Sequence, residues 1–482
     1  MVGEDTFYEK AGARDARFRD LVHQVAVADG EWMASFLPWL RGEANMRSAS
    51  VVAALEAVRA RTAAGVNGGN RRLVDSVLQR ADEPGEALAY WIATYGRAVP
   101  KPVKRGVADA VRRMYNERSL LKYDTDSRGF RFGDVIDLVH PVPDPGRSWQ
   151  GALFRHALDR RHDRGEQIPE ALSTLRARAE LMATPVADRR AILTAPGGCE
   201  VLRQAGITWE ALAGWLQGPM DAQAWEAVIP SMGYMARLRN LRNWDEAGVR
   251  DEVAEQVAAK LADPGEVARS RQFPFRFFSA YLAAPSLRWG HALDRALTHA
   301  TRNLPVVKGR TLVLVDTSGS MSGMGVSARS KMTYAQMAAL FGVALAARGN
   351  EVDLVGFADR TFRHDVRRGA SVLREVERFC GRIGEVGHGT RIADSVKAAY
   401  RRHDRVIILS DMQTFGSHWA GDVGGAAPKK VPMYAFNLAG YSRAAMSAGS
   451  GNRHELGGMT DQTFRMIPLL EAGRDADWPW LG

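Results

Sequence analysis

The chain has 482 residues, 46% of them hydrophobic and 25% charged, which is the composition of a globular protein with room for two or three domains. Two cysteines, Cys199 and Cys380, exclude a disulfide framework or a cysteine zinc site and fit a reducing compartment. The net charge of +10 favours a polyanionic partner, but the first 300 residues hold 41 basic against 38 acidic side chains, so any polyanion surface there depends on charges sorted onto one face.

The opening "MVGEDTFYEK" lacks the basic and apolar regions of a signal peptide. The apolar run "MTYAQMAALFGVALAA" is too short and too polar at its start to span a bilayer. A cytoplasmic location is expected. From about residue 15 to 300 the pattern is helical. "SASVVAALEAVRARTA", "LVDSVLQRA" and "GEALAYWIATYGRAV" repeat apolar residues at helical spacing. Further helices are predicted at 105–116, 150–162, 169–183, 209–216, 222–228, 246–261 and 275–284. Breakers separate them: "NGGN", "HPVPDPG", "APGG" and "DPG". Short helices with short loops suggest stacked helix pairs, although no clean sequence period appears.

Near residue 305 the pattern changes. "TLVLV" (311–315), "EVDLVGF" (351–357), "RVIILS" (405–410) and "VPMYAF" (431–436) are short β-forming runs. Helical segments at 331–348, 371–379 and 391–401 alternate with them, and Gly349-Asn350 is a stop for the first. Alternating β and α with continuous apolar strands predicts a doubly wound parallel sheet, which takes ligands at the carboxyl ends of its strands. The expected division is 1–304 helical and 305–482 α/β.

Asp316 directly follows the first strand, with Ser318 and Ser320 in the same loop of "TLVLVDTSGSMSG". Asp411 follows "RVIILS". Thr390 sits in the Gly-rich "GEVGHGTRIADS". Two carboxylates and three hydroxyls on one rim, with no thiolate, suit a hard octahedral cation such as Mg²⁺. Helix capping by Ser318 and Thr390 is the alternative use of these hydroxyls. His388 is the one nearby candidate base for a serine nucleophile; without a Gly-x-Ser-x-Gly elbow it reads as a polar loop residue. The order Asp-x-Ser-x-Ser, Thr, Asp resembles the metal-ion-dependent adhesion site of von Willebrand factor A domains. The resemblance implies that Ser318 and Ser320 bind Mg²⁺ or another divalent cation directly, and that Asp316, Thr390 and Asp411 bind it directly or through water.

In the helical part, Lys101, Lys104, Arg105, Arg112, Arg113 and Arg118 lie around one predicted helix, and Lys122, Arg128 and Arg131 continue the basic run to His140. Tyr115, Tyr123, Phe130 and Phe132 are interleaved, a mixture suited to phosphate contacts and base stacking. On its own the run is equally a solvated helix face. Arg237, Arg239, Asn240, Arg242 and Asn243 form a second polar cluster, read as lining a hole or serving packing and caps. Arg276, between two phenylalanines, reads as a buried structural arginine. The 155–181 segment, rich in both charges, reads as an exposed helix pair.

"KYDTDSRGFRFGDVIDLVHPVP" (122–143), "IPSMGYMARLRNLRNW" (229–244) and "FPFRFFSAY" (273–281), with "FYEK" and "WLRGEANMRSA" near the start, resemble in that order the TROVE module of the Ro ribonucleoprotein autoantigens and their bacterial relatives. The resemblance implies a mostly α protein: a monomeric ring of HEAT-like repeats closed by the von Willebrand factor A domain. It implies a non-enzymatic RNA-binding protein acting in RNA quality control or as a nuclease adaptor. Y RNA, a small noncoding RNA, would bind the outer rim, and single-stranded 3′ ends of misfolded RNA would thread the hole. The implied partner is a 3′ exoribonuclease such as polynucleotide phosphorylase. By resemblance Lys122 and His140 contact RNA. Arg112, Arg113, Arg128, Arg237 and Asn240 are further candidate contacts. The loop "DTDS" (124–127) departs from the family pattern by one residue and by its acidity. The other reading is a helical-repeat scaffold that grips an acidic partner through the Mg²⁺ site. A metal-dependent hydrolase at the Asp316 rim is the third.

Overall fold

The computed structural model describes residues 11–481 apart from 126, 128, 166, 327–329, 350, 368, 413–422, 440–445, 447–451, 458–460, 474 and 475. Helices fill the chain from Ala11–Ala28 to Leu287–Ala300. Several match the expected bounds closely, among them Gln150–Arg161, Trp209–Leu216 and Ala222–Val228. The start expected at 169 moves to Ser173–Met182, because residues ahead of it form a turn from Pro169 to Leu172. The stretch 155–181 is not a purely exposed pair: His156, Ala157, Leu172, Leu175 and Leu181 are buried.

One buried core runs from Val22 to Leu175. Its polar pin is Glu83, fully buried, whose carboxylate accepts from Arg41 Nη2 (2.6 Å), Arg47 Nε (2.9 Å) and the backbone N–H groups of Gln79 and Arg80. A second pin is the buried Glu56, which accepts from the hydroxyls of Tyr90 (2.5 Å) and Tyr95 (2.6 Å) and lies 2.6 Å from His23 Nε2. Buried carboxylates persist only when paired in this way.

A second core runs from Leu181 through the last helices and on to Ile467. It passes into one face of the sheet, through Val313, Val315, Tyr434 and Phe436. Leu312, Leu314, Ile392 and Val396 form a smaller core on the other face. The change of secondary structure near residue 305 is therefore not a break in the apolar interior.

The sheet has six strands: β1 (Thr311–Asp316), β2 (Val352–Phe357), β3 (Thr361–His364), β4 (Arg405–Ser410), β5 (Met433–Asn437) and β6 (Arg453–Gly457), in the order β3-β2-β1-β4-β5-β6. The four expected strands are present. The expectation of an all-parallel sheet is corrected at one edge, where β3 pairs antiparallel with β2. β3 and β6 are short and carry polar residues, so neither stands out as an apolar run. The helix Tyr334–Arg348 begins with a reciprocal Thr333/Gln336 capping box and ends at Gly349. Gly349 stays at negative φ; a Cβ there would lie 2.3 Å from Val352, so close approach rather than a left-handed turn requires glycine.

The chain closes on itself. At one joint Leu175 N–H donates to Glu117 Oε2 (2.8 Å) at the end of the first core, and Arg118 donates to Arg203 O (3.2 Å), linking it to the second. At the other, Asn45 Nδ2 donates to Arg271 O (3.0 Å) and Arg271 to Gly42 O (3.3 Å). There a cavity of about 250 Å³ is shared by residues of 42–45, 264–273, 299–300 and 462–465. The Trp480 ring, near the end of the chain, packs 4.7 Å from Trp39 and 5.2 Å from Phe36, centroid to centroid. An open superhelix would make neither set of contacts.

Candidate functional site

Strand order reverses between β1 and β4, the switch point where open α/β sheets leave a crevice. Asp316 closes β1, paired in register with Phe357 of β2, and Asp411 follows Ser410, the last residue of β4. The two carboxylates thus flank the crevice because two fully buried apolar strands end there. The Thr390 loop joins them: Gly319 N–H donates to His388 O (2.9 Å).

Asp316 and Ser318 are fully buried, Asp411 and Thr390 nearly so, and Ser320 is partly exposed. Asp316 accepts from Ser318 N–H (2.9 Å) and Ser410 Oγ (2.5 Å). The Ser318 and Ser320 hydroxyls lie 3.2 Å apart. Burial first, and then the neighbouring Asp411, push the Asp316 carboxyl up to about 7, against the pull of its hydrogen bonds. A cation beside it would reverse that balance. Thr390 Oγ1 is buried with no hydrogen-bond partner, and neither Thr390 nor Ser318 caps a helix with its side chain. An orphaned hydroxyl, paired hydroxyls and a carboxyl held against its charge fit a hard divalent cation. Among the described residues no group of three or more His, Cys, Asp or Glu could hold a metal, so hydroxyl donors are essential to this candidate.

Two contributors were not foreseen. Ser410 orients Asp316 from β4. Asp359, just beyond β2, accepts from the backbone N–H groups of His388 and Gly389, both at 3.1 Å, and these hold its carboxyl below the usual range. A Cβ at Gly387 (φ +95°) or Gly389 would lie 2.1–2.2 Å from the Asp359 carboxylate. The glycines of "GHGT" thus let Asp359 brace the Thr390 loop. An acid shortly after an apolar strand, facing a glycine-rich loop, was the available signal. The His388 side chain is exposed; its backbone is what serves the site.

The expected RNA contacts divide by what their side chains already do. Lys122 is exposed, its ammonium 5.1 Å from the Tyr123 ring centroid. His140 is exposed at the end of the helix Phe132–Val139, in the left-handed region at φ 48°. Arg112 is exposed, with Asp144 3.4 Å away. The chain after His140 returns to this point, where Gln150 Nε2 and Arg147 donate to Arg112 O. Arg113 is committed elsewhere, to the Asp75 carboxylate and Leu78 O. Arg128 lies outside the described residues, as does "FYEK". Arg131 pairs with buried Asp124 at 3.5 Å, so the acidic loop has a structural use: Asp124 also accepts from Phe132 N–H (2.7 Å) and starts the next helix.

The second cluster is corrected. Arg237 is 7% exposed and Asn240 2%. Arg237 reaches Ile229 O and Pro230 O (3.4 Å each), and Asn240 bonds Ala236 O (2.7 Å) and Asn243 (2.8 Å). Both face the protein because the helix Tyr234–Glu246 turns that side inward. Arg239, one position before Asn240, is exposed instead. Arg276 is also exposed rather than buried, with its guanidinium 5.1 Å from the Phe275 centroid. Partial desolvation and then Arg239 lower its pKa, so two cations lie together there.

A TROVE domain model matches residues 204–309. No curated protein matches the chain in sequence. The crystal structure of the Ro (RSR) protein of Deinococcus radiodurans is similar over 97% of this chain and 95% of that one, with a TM-score of 0.66 and 17% identity. The match spans both the helical circuit and the sheet. Among the described residues no helix is long and apolar enough to cross a membrane. The segment that matches the TROVE model thus lies inside a fold similar, almost end to end, to that of a bacterial Ro protein.

Proposed function

We propose that this is a non-enzymatic RNA-binding protein of the Ro type, monomeric and cytoplasmic, with a helical part at 1–304 and an α/β part at 305–482. The observation that carries the reading is the conjunction of a TROVE match over residues 204–309, almost all of it in the helical part, and a Ro-like fold over 97% of the chain. Small noncoding RNA of the Y type binds the outer helical surface, where Lys122, Arg112 and His140 offer exposed cationic or imidazole groups. Single-stranded 3′ ends of misfolded RNA enter the ring, where Arg239 and Arg276 supply charge in place of Arg237 and Asn240. The protein acts in RNA quality control or delivers RNA to a 3′ exoribonuclease such as polynucleotide phosphorylase.

The α/β part holds Mg²⁺ or a similar cation through Ser318 and Ser320, with Asp316, Thr390 and Asp411 direct or water-bridged. Bound there, the ion offers a Lewis-acidic position to an acidic group. Asp359 and Ser410 keep the loops and Asp316 oriented with or without it. A second reading is favoured by this rim alone: a scaffold gripping an acidic protein partner, with no role for RNA.

Filter binding at two salt concentrations separates the two. A tailed RNA should bind much better than the same helix blunt-ended, with a log–log salt slope of about −0.7 per single-strand phosphate neutralised. Equal affinity for the two RNAs removes the threading of 3′ ends; no binding of either RNA at low salt removes the RNA reading and leaves the scaffold.

A further inference from the structure

Beside Lys122 lies a cavity of about 110 Å³ between the helix Glu83–Tyr95 and the segment 129–132. Its aromatic walls are Tyr115, Tyr123, Phe130 and Phe132, and small residues, Gly85 and Ala89 among them, leave the space between. A volume several times that of one water suits the insertion of a flat ring. Tyr115 is 1% exposed and stacks on Phe132 at 3.7 Å with 9° between planes. Its hydroxyl is buried with no hydrogen-bond partner. A buried hydroxyl left unpaired beside a cavity calls for an explanation, and a polar ring edge entering the cavity supplies one.

The surrounding charge narrows the occupant. Asp82 and Glu86 also line the cavity, which disfavours an anionic side chain and favours a ring bearing N–H donors. Both carboxylates are already ion-paired, Asp82 to Arg80 and Arg47 and Glu86 to Arg47, so the cavity does not demand a full cation. Over the ring of Tyr123, itself a wall of the cavity, lie Lys122 and Arg80, at 5.1 and 5.6 Å. Arg80 is engaged by Asp82 through two 2.5 Å hydrogen bonds, whereas Lys122 is exposed to solvent. A ring inside and a phosphate at Lys122 is the layout of one nucleotide.

We infer that this cavity takes one unstacked nucleobase of an RNA held at Lys122, with Tyr115 Oη hydrogen-bonded to the base edge. The inference rests on the outer-surface RNA reading above. It adds that the surface reads a flipped-out nucleotide and not only the backbone, as aromatic pockets do for splayed bases.

The test uses the full chain and three RNA hairpins: fully paired, with one bulged nucleotide, and with an abasic residue at the bulge. The bulge is made with each of the four bases, and free nucleosides form a separate arm. Wild type should bind the best bulged hairpin roughly tenfold tighter than the abasic one, and free nucleosides far more weakly than either hairpin. Ala89→Leu, which fills the space, should abolish that preference and leave the paired hairpin unaffected. Tyr115→Phe, which removes only the orphan hydroxyl, should reduce the preference while the melting temperature holds or rises. Equal binding of bulged and abasic hairpins by wild type overturns the inference, as does a preference that survives both variants. If Lys122→Ala weakens all three hairpins alike and wild type shows no preference, the cavity is refuted and the outer surface stands. If Lys122→Ala changes nothing while Ala89→Leu still abolishes the preference, the Lys122 surface is refuted and the cavity stands.

Discussion

The two ends of this chain hold their candidate ligands in opposite ways. In the α/β part, Asp316 and Ser318 are fully buried and fixed by neighbours before anything binds. In the helical part, Lys122, Arg112 and His140 stand in solvent, and the rigid element is the circuit beneath them. Buried oxygens give a site that is present or absent. Exposed cations give a surface that weakens by degrees as each is lost.

The largest effect should come from Asp316→Ala combined with Ser318→Ala. Mg²⁺ or Mn²⁺ binding by isothermal titration calorimetry should vanish, while RNA affinity stays within a few-fold of wild type. A folded double mutant that loses RNA binding would erase the contrast between the two parts. Next, Glu83→Ala should cost about 3–5 kcal/mol in denaturant unfolding, because Arg41 would be left buried and uncompensated. Arg71→Ala breaks the exposed pair with Asp109 and should cost less than about 1 kcal/mol. Similar costs for both would mean that the buried pin does not anchor the helical part.

The raised Asp316 pKa gives a signed pH effect. The folded carboxyl keeps its proton to about 7, whereas in the unfolded chain it ionises near 4. Without divalent ions, stability is therefore highest below the unfolded value and falls as pH rises from about 4 to about 7. The loss is at most roughly 4 kcal/mol; Asp316→Asn should flatten it, and Mg²⁺ at pH 8 should restore stability. Urea melts at pH 5 and pH 8 read both. The smallest expected effect on binding is that of Lys122→Ala with His140→Ala, which should weaken a structured RNA roughly tenfold, about 1.4 kcal/mol, and a short single strand less. Equal weakening would show that these residues attract charge without belonging to an outer site.

The sequence made the candidate metal rim more legible than the candidate RNA surface, for a physical reason. Asp316 and Asp411 follow strands so apolar that their ends are fixed by pattern, and a strand end fixes which rim its next residue joins. Asp359 was missed because its role depends on where "GHGT" crosses over it. On a helix, the step from Asn240 to Arg239 turns a side chain from interior to solvent, and no composition argument reveals which. Arg112 and Arg113 look alike in sequence and are equally exposed; only the position of Asp75, 38 residues away on another helix, ties Arg113 down through hydrogen bonds and leaves Arg112 with the looser 3.4 Å approach to Asp144. Helices were recovered where apolar spacing was strong, as at Trp209–Leu216, and strands were lost where polar residues interrupted them, as at β3 and β6.

The contacts of Trp480 with Phe36 and Trp39 bear on cooperativity. A linear helical array behaves like a chain of nearest neighbours and frays from its ends, which is why such arrays carry special terminal units. Joined at 42–45 and 264–273, this array has no outermost unit, and opening any one joint must disturb two neighbours. Native-state hydrogen exchange should therefore show level protection around the circuit, from the helix Gly30–Gly42 to the helix Pro274–Ala283, in place of a gradient toward either end. Trp480→Ala, by freeing the seam, should bring that gradient back.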